Sequence, residues 1–503
     1  MRRISRSLVL AAAMLSAGAL AGCLDLAPAY HRPALPTPAS FPQGPAYAPQ
    51  TSSAAPIVGW REFFSDPKLK AVIEQALAAN RDLRIAVANI AAARAQYHVQ
   101  RAALFPAVNA QLGANILQEP VGVIEGTTVG LPPGISSEYS ESIYSATLGV
   151  TNYQLDLFGK VHNLTKAARE QYFATRQARD AAQITLVSEV AADYLTLGAD
   201  RTLLKNAQDN FASATATLDV TKGRFEHGVV SQLDVSQADT LVQQARYDVA
   251  RLTTQVAQDR NALELVVGAP VADALLPADA DADGEVVVLA RLPGAVTSSV
   301  LLKRPDVLQS EDQLRAANAN IGAARAAFFP NISLTGDGGL TSLALSTLFR
   351  ASAATWTFAP TITQPIFDAG ANRGNLAYAK AQRDVSVAQY EKAIQTAFRE
   401  VADALAQRGT IEEQLAAQRA LHSASAEALR LSTARYERGA DSYLNTLIAQ
   451  RTFYSARQTL VAAELARSVN LVTLYSVLGG GLDTPSQATE VGNGANHGAN
   501  NPG

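Results

Sequence analysis

Two hydrophobic periods take turns along this chain of 503 residues. From Asp66 the pattern is helical. Asp66 suits an N-cap, Pro67 suits the first turn, and an Ala-rich run continues to Pro106, which predicts helix across that span. At residue 107 the period drops to two. Val108, Ala110, Leu112, Ala114 and Ile116 alternate with Asn109, Gln111, Gly113 and Asn115, as in a strand with one apolar and one polar face. A Gly/Pro-rich loop (118–138) follows, residues 144–159 alternate again, and helical patterning returns at about Lys160.

The second half repeats this order. Asp82, Arg101, Phe105 and Pro106 recur as Asp306, Arg325, Phe329 and Pro330, and residues 331–340 and 355–367 supply two more alternating stretches. "DLFG" at the first strand-to-helix switch is answered by "FDAG" at the second. "RFEHGVVSQLD" (224–234) is answered by "RYERGADSYLN" (435–445). The pattern is a tandem duplication of helix, strand, strand, long helix, turn, helix. It divides the chain into 60–268, a connector at 269–303 with Pro, Gly and acidic character, and 304–481. Residues 482–503 are Ser/Asn/Gly-rich and predicted to be disordered.

Each quoted turn stops one helix and starts another. Gly228 and Gly439 suit the left-handed residue that ends a helix. Ser231 and Ser442 suit N-caps, with Asp234 and Asn445 three residues on as weak capping boxes. Long helices at 160–227 and 371–438, each about 100 Å at 1.5 Å per residue, are predicted to fold back at these tips as helical hairpins. Leu204, Ala207, Phe211, Ala214, Leu218, Thr221 and Phe225 form a coiled-coil seam. The second copy places Gln418, His422 and Ser425 in the same seam, beside Leu415, Leu429 and Tyr436.

The four strands are about ten to twelve residues long, which matches the ~9–11 of tilted bilayer-crossing strands. Four cannot close a barrel, and hydrocarbon forbids an open edge, so several chains must pool their strands. Two copies give a side-chain-filled cylinder of eight; three give twelve and a pore. A soluble four-stranded sheet covered by helices is the alternative.

The N-terminus sets the compartment. "MRRISRS" is a basic leader and "LVLAAAMLSAGA" an apolar core, too short for a spanning helix; residues 1–22 read as a signal peptide. "LAGC" resembles a lipobox, which leaves Cys23 as an N-acyl diacylglycerol-modified terminus, and Leu24 after it points to the outer membrane. Residues 23–59 are Pro-rich, a tether or a strap over a surface. With a formal net charge of −3 and 17% charged residues, a polybasic nucleic-acid binder is excluded. A single cysteine excludes a disulfide framework. The six histidines have no metal-ligand spacing, and no phosphate loop or nucleophile elbow appears, so neither a metal site nor an enzyme is expected.

Taken in order, "CLDLAPAYHRP", "WREFFSDPKLKAVIEQALAANRDL", "YQLDLFGK", "LLKRPDV", "QPIFDAG" and the two tips resemble the TolC/OprM-type outer-membrane factors, lipoprotein branch of resistance-nodulation-division (RND) efflux systems. The resemblance spans nearly the whole mature chain. It implies an α+β membrane protein: a homotrimer whose 12-stranded β-barrel, four strands per chain, continues into a long α-helical coiled-coil tunnel across the periplasm. It implies a passive exit duct, anchored in outer-membrane lipid, that meets a periplasmic adaptor (a membrane fusion protein) and, through it, an inner-membrane RND transporter. Gly228, Val229, Val230, Ser231, Gly439, Ala440, Asp441, Ser442 and Tyr443 then form the docking and gating tips. Asp234 and Asp441 are the acids left near them; threefold symmetry would gather three copies of each, which favours bound cations and a raised carboxylate pKa. A duct for type I protein secretion and a poreless coiled-coil scaffold are the alternative readings.

Overall fold

The computed structural model describes residues 25–47, 59–120, 138–277 and 297–482. Twelve elements carry the fold: α1 (Trp60–Phe63), α2 (Pro67–Ala79), α3 (Arg81–Ala102), β1 (Val108–Pro120), β2 (Glu138–Leu155), α4 (Lys160–Glu226), α5 (Gln232–Val267), α6 (Pro305–Ala326), β3 (Asn331–Ser342), β4 (Ala354–Thr363), α7 (Ala371–Glu437) and α8 (Tyr443–Val477). The chain forms two compact units, and each draws residues from both sequence repeats. Cys23, the expected signal peptide, residues 48–58 of the Pro-rich segment, residues 121–137 of the Gly/Pro-rich loop, most of the connector and the tail after residue 482 lie outside the described residues.

The helix expected from Asp66 to Pro106 is two helices. Asn80 interrupts it with extended backbone (ψ 134°) and serves both ends. Its N–H donates to the Ala76 carbonyl, its side-chain Oδ1 accepts from the Leu83 N–H (2.8 Å), and its Nδ2 donates to the Val266 carbonyl (2.7 Å). One residue thus supplies a C-cap, an N-cap and a tie to α5. Asp66 caps α2 as expected, accepting from the Lys68 N–H, and its other oxygen accepts from the Tyr194 hydroxyl (3.2 Å).

The second unit (Ala34–Ile90, Thr175–Ser310, Gln389–Gly503) holds the largest apolar core. Trp60, Phe63, Leu69, Val72, Ile73 and Ala76 pack on Val187, Val190, Tyr194 and Leu197 of α4, Leu263 and Val267 of α5, and Val472 and Tyr475 of α8. The Phe63 and Tyr475 rings stack with centroids 3.7 Å apart. Each fully buried side chain of this size stabilises by about 1.5–3 kcal/mol, so α1 and α2 are held by packing rather than by their length. Arg304 closes the C-terminal end. It donates to the Val477 carbonyl (2.7 Å) and pairs with Asp306 and Glu400.

The first unit (Met1–Pro33, Ala91–Ala174, Glu311–Ala388) contains the sheet. Its order is β1-β2-β3-β4, all antiparallel, with the outer edges of β1 and β4 unpaired among the described residues. Part of the Pro-rich segment is a strap here, laid along α6. Arg325 donates to the Leu26 carbonyl, Asn318 to Pro28, and Arg32 makes a two-toothed pair with Glu311 (3.0 and 2.7 Å). Gly322 lets the strap sit this close, because a Cβ there would lie 2.8 Å from the Ala27 nitrogen.

Candidate functional site: the strand face and the helical tips

Register converts four weakly patterned strands into one face. Val108, Ala110, Leu112 and Ala114 stand opposite Val150, Leu148, Ala146 and Tyr144. β3 and β4 continue the row: Gly336 faces Phe358, Gly338 faces Trp356, Leu334 faces Pro360 and Ile332 faces Ile362. A slip of one residue in any pair would break this set. The slip that does occur, a bulge between Val150 and Tyr153, switches parity within β2, and Leu334 and Ile332 then pair with Tyr153 and Leu155 on the same side. Asn152 takes a left-handed φ of 56° at the bulge, and its N–H donates to the Thr335 hydroxyl.

These apolar residues are open. Leu112 is 82% and Trp356 79% exposed; Leu148, Phe358 and Ile362 are exposed as well. The reverse face is mostly Asn, Gln, Thr, Ser and Gly, with few apolar residues (Leu117, Ile143 and Ala359) and few acids. A water-soluble sheet buries its apolar face and wets its polar one; this one is arranged for hydrocarbon outside and water inside.

Both tips form as expected up to the helix stop. Gly228 and Gly439 have φ of 73° and 72°. The N–H groups of Gly228 and Val229 donate to Phe225 and Arg224, and those of Gly439 and Ala440 to Tyr436 and Arg435, which is the Schellman pairing at both ends. The restarts then differ. Ser231 and Asp234 make a full capping box, the Ser231 N–H donating to Asp234 Oδ2 (2.9 Å) and the Asp234 N–H to Ser231 Oγ (3.3 Å). Ser442 occupies the N-cap position of α8 without side-chain capping. Asp441 instead ties the turn together. Its Oδ1 accepts from the Asn445 amide (2.5 Å) and the Ser442 N–H (2.9 Å), and its Oδ2 from Arg435 Nε (3.2 Å).

One expectation is corrected here, and the two acids are placed. Within the protomer Asp441 is held below the usual carboxylate range, by the Asn445 amide first, then the Ser442 N–H and Arg435. It is a locally bonded turn residue, and Asp234 is bonded to Ser231; the expected ring concerns three copies gathered on one axis. Tyr443 is no contact surface: it is 3% exposed, packed with Ala214, Leu218, Leu241, Val242 and Leu447, its ring 5.3 Å from Tyr436. Apolar side chains left open are Val229 in the turn, 70% exposed, Leu233 in the first turn of α5, and Leu444 with Ile448 one turn on in α8. Val230 is half-buried, while Ser231, Ala440 and Ser442 are exposed. Leu233, Leu444 and Ile448 were not singled out in the sequence, although the spacing of four between Leu444 and Ile448 marks one helix face. The two tips are tied by Arg224, whose guanidinium lies 5.0 Å from the Tyr436 ring centroid. Of the expected seam, Ala207, Ala214, Leu218 and Thr221 are buried, whereas Phe225 at the last turn is exposed. No group of three or more metal-ligating side chains occurs among the described residues.

An open sheet with an apolar outer face, carried by a duplicated chain with two long helical hairpins, defines a subunit of an outer-membrane channel. The chain belongs to the outer membrane efflux protein family, which it matches over residues 72–269 and 296–480. It is 46% identical over 465 residues to the toluene efflux pump outer membrane protein TtgC of Pseudomonas putida, covering 92% of this chain and 93% of that one. It is 40% identical over 462 residues to outer membrane protein OprJ of Pseudomonas aeruginosa, covering 92% and 94%. Among solved structures it is similar to the open state of the MtrE outer membrane channel of Neisseria gonorrhoeae, at 36% identity and a TM-score of 0.80, covering 91% of this chain and 98% of that one.

Proposed function

We propose that this chain is the exit duct of a tripartite RND-type efflux pump for small molecules, a passive conduit in the bacterial outer membrane. Three copies pool their strands into a 12-stranded barrel, and their paired hairpins line the periplasmic tunnel. Cys23 carries the acyl anchor. A periplasmic adaptor docks on the tips and an inner-membrane RND transporter supplies the energy. The reading also takes the chain to be no enzyme. The observation that carries it is the strand register, which gathers the apolar residues of four strands on one exposed face and leaves two edges unpaired. Unpaired backbone at an edge costs several kcal/mol per group in hydrocarbon, so neighbouring subunits must complete the cylinder.

Docking is assigned to the open residues Val229 and Ala440, with Leu233 and Leu444 beside them. The experiment is export of a fluorescent pump substrate from cells that lack the native chain and carry Val229→Asp or Ala440→Asp. These variants are expected to assemble normally in the outer membrane and to lose export. Undiminished export from both, at normal abundance, would remove the tips from the docking surface.

A further inference from the structure

The polar face of the sheet is almost free of charge. β4 presents no ionisable residue on it, β1 places only Glu119 there, at its far end, and no lysine or arginine occurs in any of the four strands. One carboxylate stands in its middle. Asp337 lies at the seventh of twelve positions in β3, opposite Gly149 of β2 and Thr357 of β4. It is half-buried and has neither a hydrogen-bond nor an ion-pair partner among the described residues. The site is cleared of bulk: Gly336, Gly338 and Gly339 flank it in sequence, and a side chain on Gly149 would collide with Asp337 itself. Of the other acids on this face, Glu119 lies ten residues beyond Asn109 along β1, and Glu141, the nearer, lies eight residues beyond Gly149 along β2, about 27 Å at ~3.4 Å per residue. That is nearly three screening lengths at 0.1 M salt.

We infer that Asp337, one from each of three chains, forms a carboxylate ring midway along the barrel lumen that selects for cations and against anions. This rests on the trimeric-duct reading above. Twelve strands at their usual spacing put each carboxylate on the order of 10 Å from the axis. Three unit charges at that distance in water, screened over about 10 Å at 0.1 M salt, enrich monovalent cations about twofold and deplete anions by the same factor. The net preference is about fourfold. At 1 M salt, with a screening length of about 3 Å, it falls to near unity. The class of cargo favoured is small cationic molecules.

The test is the reversal potential of the purified full-length protein in planar bilayers under a potassium chloride gradient, centred first on 0.1 M and then on 1 M. Wild type is expected to prefer potassium about fourfold at the lower salt. Asp337→Asn, which keeps size and shape, is expected to bring the ratio close to one, Asp337→Lys to invert it, and Glu141→Gln to leave most of it. Selectivity unchanged in Asp337→Asn, in a protein that conducts, would overturn the ring while leaving the duct intact. Bilayers that stay silent with wild type would overturn the duct reading, and the ring with it.

Discussion

Glu311→Gln tests whether the N-terminal strap is fastened by charge. Glu311 is 1% exposed and receives four donors: Arg32 Nε (3.0 Å) and Nη2 (2.7 Å), Arg315 Nη2 (2.7 Å) and the Tyr30 hydroxyl (3.1 Å). Breaking a buried ion pair from one side costs about 3–5 kcal/mol when the remaining charge is stranded. Here both guanidiniums keep a water-facing side, so that figure is discounted to about 2–3 kcal/mol. Arg32→Ala should cost less, about 1–2 kcal/mol, because Glu311 retains Arg315 and Tyr30. The loss falls on the strap alone, so the assay is hydrogen exchange of the strap amides in the assembled protein. The Ala27 N–H, which donates to Asp25 Oδ1 (2.9 Å), is the reporter. A change of 2–3 kcal/mol in local opening accelerates its exchange about 30- to 150-fold, and Arg32→Ala should give about 5- to 30-fold. Exchange in Glu311→Gln within twofold of wild type, or slower than in Arg32→Ala, would refute the charge clamp.

Other consequences follow from the two hairpins. Burial and a hydrogen bond to Asp259 push the Asp200 carboxyl up to about 7. An acid with a raised native pKa favours the folded state fully below its unfolded pKa of about 3.9 and loses that contribution as pH rises through 7. Asp200→Asn should therefore unfold at the wild-type temperature near pH 3, below that window, and at a progressively higher one as pH rises to 8. The gain there is about 2 kcal/mol after discounting a half-exposed group, and parallel pH profiles would contradict it. Tyr443→Ala should loosen the tips by about 3–5 kcal/mol, read as faster proteolysis near residues 228 and 439. Tyr443→Phe, which removes a buried hydroxyl without a hydrogen-bond partner in the protomer, should be neutral or protective; greater protease sensitivity in it would show that the hydroxyl is bonded.

Most of the architecture was legible because the chain changes period sharply at Pro106, Lys160 and their counterparts Pro330 and Ala371. The duplication doubled each weak strand signal, and Gly228 and Gly439 marked both bends by a backbone need that side-chain context does not alter. What escaped was set by three-dimensional partners. Asn80 looks like one more polar residue in a helical run, and only its bond to Val266 makes a break there stable. Tyr443 and Asp441 sit in exposed-looking turns. One is drawn into a cluster from three other helical segments; the other is taken by Arg435 and Asn445. β2 also begins earlier than its alternation, because pairing with β1 extends it to Glu138. The lumen charge at Asp337 needed the register: in sequence it is an acid in a glycine-rich strand, and only its partners show which face it joins.

The central claim is that β1 of one chain pairs with β4 of another. Within a single chain these edges are three strand spacings apart, about 14 Å, twice what a disulfide spans. The only native cysteine is Cys23, so introduced pairs report cleanly. Asn109→Cys combined in turn with Thr357→Cys, Ala359→Cys or Thr361→Cys, oxidised in intact outer membranes, should give a ladder ending at three covalently joined chains for at least one combination. Monomer from every combination, with the chain present and membrane-bound, would contradict the account.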